Sequence, residues 1–170
     1  PPKSVVEIVK EKLSAPKLSP TKDYYYVCFK TDDQISFQES LIVTGLDLSL
    51  LIYGLNLNTT SASPLFTLSG FNVTIINGNF EGTGTGISVL GKNMAISDSK
   101  LTGFSNPISI ADGADANISG NSFLETQPEK IITFTAQSQN YLDIAWIGKH
   151  ISETDTNYAD RNRHERNIFP

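Results

Sequence analysis

Four stretches of this chain share one short phrase: Gly45-Leu-Asp-Leu-Ser-Leu50, Gly70-Phe-Asn-Val-Thr-Ile75, Gly91-Lys-Asn-Met-Ala-Ile96 and Gly113-Ala-Asp-Ala-Asn-Ile118. The pattern is glycine, any residue, Asp or Asn, an apolar residue, a small or polar one, then Leu or Ile. It recurs after 25, 21 and 22 residues. A period of that size predicts units that cannot bury their apolar face alone and must stack on one another, which is a solenoid.

Short alternating runs flank each glycine. Before it stand 41–43, 66–68, 87–89 and 108–110; after it stand 48–50, 73–75, 94–96 and 116–118. Strand alternation sends one set of side chains inward and the next outward. Stacked by the phrase, the inward residues form columns: Leu50, Ile75, Ile96, Ile118 and Ile144, and then Leu55, Phe80, Leu101 and Phe123. The residues between them, Thr67, Ser88, Ser109, Thr74, Ala95 and Asn117, are expected to face out. Burying each large side chain stabilises the stack by about 1.5–3 kcal/mol. The glycines are expected at corners of positive φ. Asp47, Asn72, Asn93 and Asp115 are expected to bond the turn backbone. A looser last turn pairs Ile132–Phe134 with Leu142–Ile144, and Gln139 stands where the glycine would be.

The ends do not repeat. Ser4 and Glu7 make a capping box that opens an amphipathic helix over 4–13, closed by Pro16 and Pro20. Residues 24–29 read as a strand, and 35–37 start another. The chain therefore divides into an N-terminal helix and linker (1–22), a parallel β-helix (23–150) and a polar tail (151–170). The tail holds all three arginines, Arg161, Arg163 and Arg166, and ends in Ile168-Phe169-Pro170. It reads either as a solvated tail or as an arm that docks on a partner through arginine forks and an apolar anchor.

The segments Phe71-Asn-Val-Thr-Ile-Ile-Asn-Gly-Asn-Phe80 and Ala116-Asn-Ile-Ser-Gly-Asn-Ser-Phe123 resemble repeats of the pectate-lyase-like superfamily. The resemblance covers residues 41–129, about half the chain. It implies an all-β fold: a short right-handed parallel β-helix of about five to six coils, with an N-terminal capping helix and an extended C-terminal tail. For function it is unspecific, because that superfamily includes lyases, hydrolases, epimerases, viral tailspikes and structural virion proteins. Its lyases use an arginine or comparable base beside calcium-binding aspartates, and residues 1–160 here contain no arginine.

Few residues remain for chemistry. Asp98, Asp112, Asp115 and Lys100 are the weak candidates for a hydrolase or lyase site. Turn chemistry explains the three aspartates more simply. No recognised calcium loop is present, and no metal or cofactor is expected. His150 and His164 lack a nucleophile at useful spacing. Cys28 sits in an apolar run and reads as a buried, inert thiol. The sequons at Asn58, Asn72 and Asn117 fit the repeat's own grammar better than glycosylation. Trp146, Tyr141, Tyr158 and Tyr24–Tyr26 read as core caps in preference to sugar platforms.

A net charge of −5 gives no general reason to bind nucleic acid. No apolar run reaches the roughly 18 residues a membrane span needs, and residues 1–3 lack a signal peptide's layout. The reading that follows is a non-catalytic structural or adhesive β-helix at a virion or extracellular surface. Most concretely it is a capsid decoration or tail-associated protein, homo-oligomeric, docking through Arg161, Arg163, Arg166, Ile168 and Phe169. The alternative is a carbohydrate-active enzyme or a sugar-binding module.

Overall fold

The computed structural model describes residues 4–19, 23–30, 33–111, 113–126 and, for the backbone alone, 132–134 and 163–165. The fold is a parallel β-helix. An N-terminal helix α1 (Val5–Ser14) leads through a two-residue strand β1 (Lys17–Leu18) into five successive triplets of strands. These are β2 (Tyr24–Cys28), β3 (Ile35–Phe37) and β4 (Leu41–Gly45); β5 (Ser49–Tyr53), β6 (Asn56–Thr59) and β7 (Phe66–Gly70); β8 (Val73–Ile76), β9 (Asn79–Glu81) and β10 (Thr85–Val89); β11 (Met94–Ser97), β12 (Lys100–Thr102) and β13 (Asn106–Ile110); and β14 (Ala116–Ser119), β15 (Ser122–Leu124) and β16 (Ile132–Phe134). A last strand, β17 (Arg163–Glu165), follows.

Each strand of a triplet joins a different sheet. Sheet A runs β1-β2-β5-β8-β11-β14-β17, sheet B runs β3-β6-β9-β12-β15, and sheet C runs β4-β7-β10-β13-β16. All pairings are parallel except β1 with β2. Strands this short are marginal alone, so the stacking of coil on coil is what makes them persist.

The core is the set of inward columns. Val27, Ile52, Ile75, Ile96 and Ile118 stack in sheet A, all buried. Beside them stand Tyr25, Leu50, Val73, Met94 and Ala116. Sheet B contributes Ile35, Leu57, Phe80, Leu101 and Phe123, and sheet C contributes Leu41, Phe66, Ile87 and Ile108. Phe66 meets Phe80 edge to face across the interior at 5.4 Å.

The register corrects the columns drawn from the phrase. Gly45 pairs with Gly70, but Leu50 pairs with Val73 and Ile52 with Ile75. The first corner, 46–48, is one residue longer than the next, 71–72, and β5 begins one residue earlier in its own register than β8 does. The net slip is two residues. Accordingly Leu57, not Leu55, stacks on Phe80 in the column that continues to Leu101, although Leu55 is also buried. A slip of two preserves the inward–outward phase, so Leu50, Val73, Ile75, Met94, Ile96, Ala116 and Ile118 remain buried; Leu48 is only half-buried, and Ser109, expected to face out, is buried. At the far end the partner of Ile118 is His164 of β17, where the repeat had placed Ile144. Residues 139–144 lie outside the described residues.

The helix closes the N-terminal end. Ser4 and Glu7 form the expected capping box, with each side chain bonded to the other's backbone N–H. Val9 and Leu13 are buried against the first coil. Lys12 lies 5.7 Å over the ring of Phe29, and Lys10 pairs with Glu39.

Candidate functional site

The corner from sheet C to sheet A carries the glycine and Asp/Asn ladders. Asn72 and Asn93 adopt φ of 63° and 56°, so the short amide side chain sits where most residues would be strained. Asn93 Nδ2 donates to Asn72 Oδ1 at 2.6 Å, and Asn72 Nδ2 donates to the carbonyls of Leu46 and Asp47 at 3.1 and 2.9 Å. Asp115 Oδ1 accepts the backbone N–H of Asn93 at 2.7 Å. Each of these bonds joins one coil to the next. Asp115, a candidate for chemistry, is therefore committed to coil stacking.

The glycines have two separate causes. φ is positive at Gly70 and Gly113 but not at Gly45 or Gly91. At Gly45 a Cβ would fall 1.8 Å from the carbonyl oxygen of Phe71, and at Gly91 it would fall 2.2 Å from that of Gly70. Close approach of a neighbouring coil, the following one at Gly45 and the preceding one at Gly91, and not turn conformation, demands glycine there. At Gly113 a Cβ would meet no atom of the described residues within 4 Å.

The corner from sheet A to sheet B holds a second ladder. Gly54, Asn77, Asp98 and Gly120 succeed one another, all at positive φ between 50° and 75°. Asn77 N–H donates to the Ser97 carbonyl, and Asp98 N–H to that of Ser119. Just inside runs a buried chain of bonds. Gly78 N–H donates to Ser99 Oγ, Ser99 N–H donates to Asn121 Oδ1, and Asn121 Nδ2 donates to the Ile96 carbonyl, at 3.0, 3.0 and 2.9 Å. Ser99 and Asn121 are fully enclosed. Sequence reasoning missed this ladder because its three rungs use three different residue types.

Outside this corner two shallow polar depressions adjoin through Asn77 and Asn79. One, of about 520 Å³, is lined by Phe29, Lys30, Asn56, Asn77 and Asn79 among others. The other, of about 400 Å³, includes Asn77, Asn79, Asp98, Lys100 and Ser122. Asp98 and Lys100 thus share one surface. Asp115 belongs to the other corner, and Asp112 lies outside the described residues, as do His150, Tyr141, Trp146, Tyr158, Arg161, Arg166, Ile168 and Phe169. Among the described residues no three His, Cys, Asp or Glu converge as metal ligands. No described helix is long and apolar enough to cross a membrane.

Cys28 is exposed, not buried. Val27 takes the inward position of β2, and alternation turns its neighbour outward. It borders a groove of about 660 Å³ between α1 and the first coil, beside Val5, Ile8 and Phe29. In the folded protein Cys28 is expected to react fully with a soluble thiol reagent. Labelling seen only after denaturation would contradict its placement.

Of the sequon residues, Asn58 donates to Gln34 Oε1 at 2.7 Å, Asn72 serves the corner ladder, and Asn117 is exposed on β14. The backbone of Arg163–Glu165 pairs with β14 of its own chain. Part of the polar tail therefore extends sheet A. A larger groove, of about 800 Å³, opens at the N-terminal end between α1 and β4. Comparison with protein-family models, curated proteins and solved structures finds no match.

Proposed function

We propose that the chain is a non-catalytic structural or adhesive module, a short rigid rod that belongs to a larger assembly. The observation that carries this reading is where the polar side chains of the repeat are used. Asn72, Asn93, Asp115, Ser99 and Asn121 bond one coil to the next, so the ladders serve stiffness and stacking. A rod of this kind, related in pattern to pectate-lyase-like repeats, suits a capsid decoration or a tail-associated protein on a virion or other extracellular surface. In this reading the chain beyond β17, with Arg166, Ile168 and Phe169, and Arg161 before it, grips the larger particle.

Removing 151–170 takes β17 away with the tail; the truncated chain is expected to keep a β-sheet circular dichroism spectrum from the remaining coils and to lose co-purification with the particle. Undiminished co-purification would remove the arm from the account. A second reading, contact with a glycan, is favoured by one observation: Asp98 and Lys100 share an exposed polar surface with Asn77 and Asn79. The full chain is expected to leave a panel of acidic and neutral polysaccharides intact. Depolymerisation that Asp98→Ala abolishes would overturn the structural reading in favour of an enzyme.

A further inference from the structure

The N-terminal end of the solenoid is closed unevenly. At the N-terminal end β1 covers the edge of sheet A, and α1 packs on β3 and β4. Yet among the described residues no strand pairs with the outer edge of β4. In a parallel ladder alternate residues turn their N–H and C=O to opposite sides. Leu41 N–H donates to the Leu65 carbonyl and the Gly45 carbonyl accepts from Phe71, so the odd residues of β4 serve the next coil. Ile42 and Thr44 turn theirs to the open edge. That edge borders the groove of about 800 Å³, which Leu13, Leu48 and Leu50 line and which Lys10 and Glu39 also border. Its rim includes Ile42 and Leu46, 68% and 66% exposed. An unpaired apolar edge is a template for another strand.

The same chain carries a segment of matching chemistry. Every described corner from sheet C to sheet A is short: 46–48, 71–72, 90–93 and 111–115. Between β16 and β17, however, stand residues 135–162. They include Tyr141-Leu-Asp-Ile-Ala-Trp-Ile147, in which Leu142, Ile144 and Trp146 alternate with Asp143 and Ala145. This is the inward–outward pattern of a coil strand, and the edge of β14 that it would have extended is held by β17.

We propose that the open edge of β4 accepts residues 141–147 of a second copy, which add a strand to sheet C and fill the groove with Leu142, Ile144 and Trp146. Geometry favours a second copy over the same chain. Reaching from β16 past β4 crosses five strand spacings, about 24 Å. The residues from Phe134 to Tyr141 span at most about 24 Å when fully extended, which leaves nothing for the turns. Each copy then offers one edge and one segment, a head-to-tail contact that builds rings or filaments. The inference deepens the assembly reading above and rests on it.

Two variants test it. Ile42→Pro removes a donor that faces the open edge and costs no bond of the β4–β7 ladder. Leu142→Asp/Ile144→Asp spoils the segment and leaves the edge intact. Sedimentation of the full chain is expected to show reversible self-association, weakened at least tenfold in either variant. An equimolar mixture of the two is expected to recover a one-to-one heterodimer, because it restores one edge and one segment. The proposal is overturned if the wild-type chain stays monomeric at its highest soluble concentration, if Ile42→Pro with an unchanged circular dichroism spectrum associates as before, or if the mixture stays monomeric. A monomer that still co-purifies with a larger particle would sink the self-docking and leave the assembly reading standing.

Discussion

Gly45→Ala is expected to destabilise the fold by about 3 kcal/mol, and Gly113→Ala by only about 1 kcal/mol. The two glycines hold the same place in the repeated phrase, so sequence alone gives them equal weight. The coil below makes the difference. At Gly45 a new methyl would sit 1.8 Å from the Phe71 carbonyl oxygen and 2.6 Å from Val73 Cγ2, and the obstacle is backbone that cannot rotate away. At Gly113 no described residue crowds the new methyl, and the conformational penalty at φ of 75° is the cost that remains. For a chain of this size the first change lowers Tm by roughly 6–12 °C and the second by roughly 2–4 °C. Equal losses at both positions would mean that the close approach of coils at Gly45 is wrong.

That contrast shows what the phrase could and could not convey. Gly45 and Gly113 are legible as corners, because a corner in every coil leaves a periodic mark. Which physical cause demands glycine depends on the neighbouring coil and leaves none. The same limit produced the slipped columns. The phrase aligned Leu50 with Ile75, while the stacked partner is Ile52. A displacement of two residues returns every side chain to the same face, so hydrophobic alternation cannot detect it. The exposure of Cys28 escapes the sequence for a related reason. The apolar run at 24–29 identified the strand but not its phase, and Val27 holds the buried position. Strand β1 has two residues, too few for any pattern. Strand β17 is Arg-His-Glu, whose polar character marked it as tail, yet at a sheet's end its backbone alone suffices for pairing.

The second large effect belongs to Asn121. Asn121→Leu is expected to cost about 2–4 kcal/mol, whereas Asn117→Ala, four residues earlier, should stay within about 0.5 kcal/mol. Asn121 is 0% exposed, and its amide both accepts from Ser99 N–H and donates to the Ile96 carbonyl. Leucine of similar volume leaves both groups buried without those partners, and each orphaned group costs its full desolvation. Asn117 faces outward from β14 and is exposed. Urea denaturation of the two variants checks the prediction; a near-neutral Asn121→Leu would show that the inner ladder adds nothing to stability. The sequence offered no warning of this site. Gly78, Ser99 and Asn121 share a column but not a residue type, and only the fold aligns them.

The candidate site was legible in the same partial way. Asp98, Asp115 and Lys100 were recognisable as polar residues at repeat corners, but corners of different kinds are indistinguishable in a linear chain. Folding brings Asp98 and Lys100 to one surface and commits Asp115 to Asn93 on another.

The central claim is that the coils stack in one register, with the polar ladders as their fastening. Methyl–methyl nuclear Overhauser contacts among the isoleucines test it most directly, because stacked side chains lie about one strand spacing apart. The register predicts an unbroken series from Ile52 to Ile75, Ile75 to Ile96 and Ile96 to Ile118. A series that begins with Leu50 against Ile75, with no contact between Ile52 and Ile75, would contradict it.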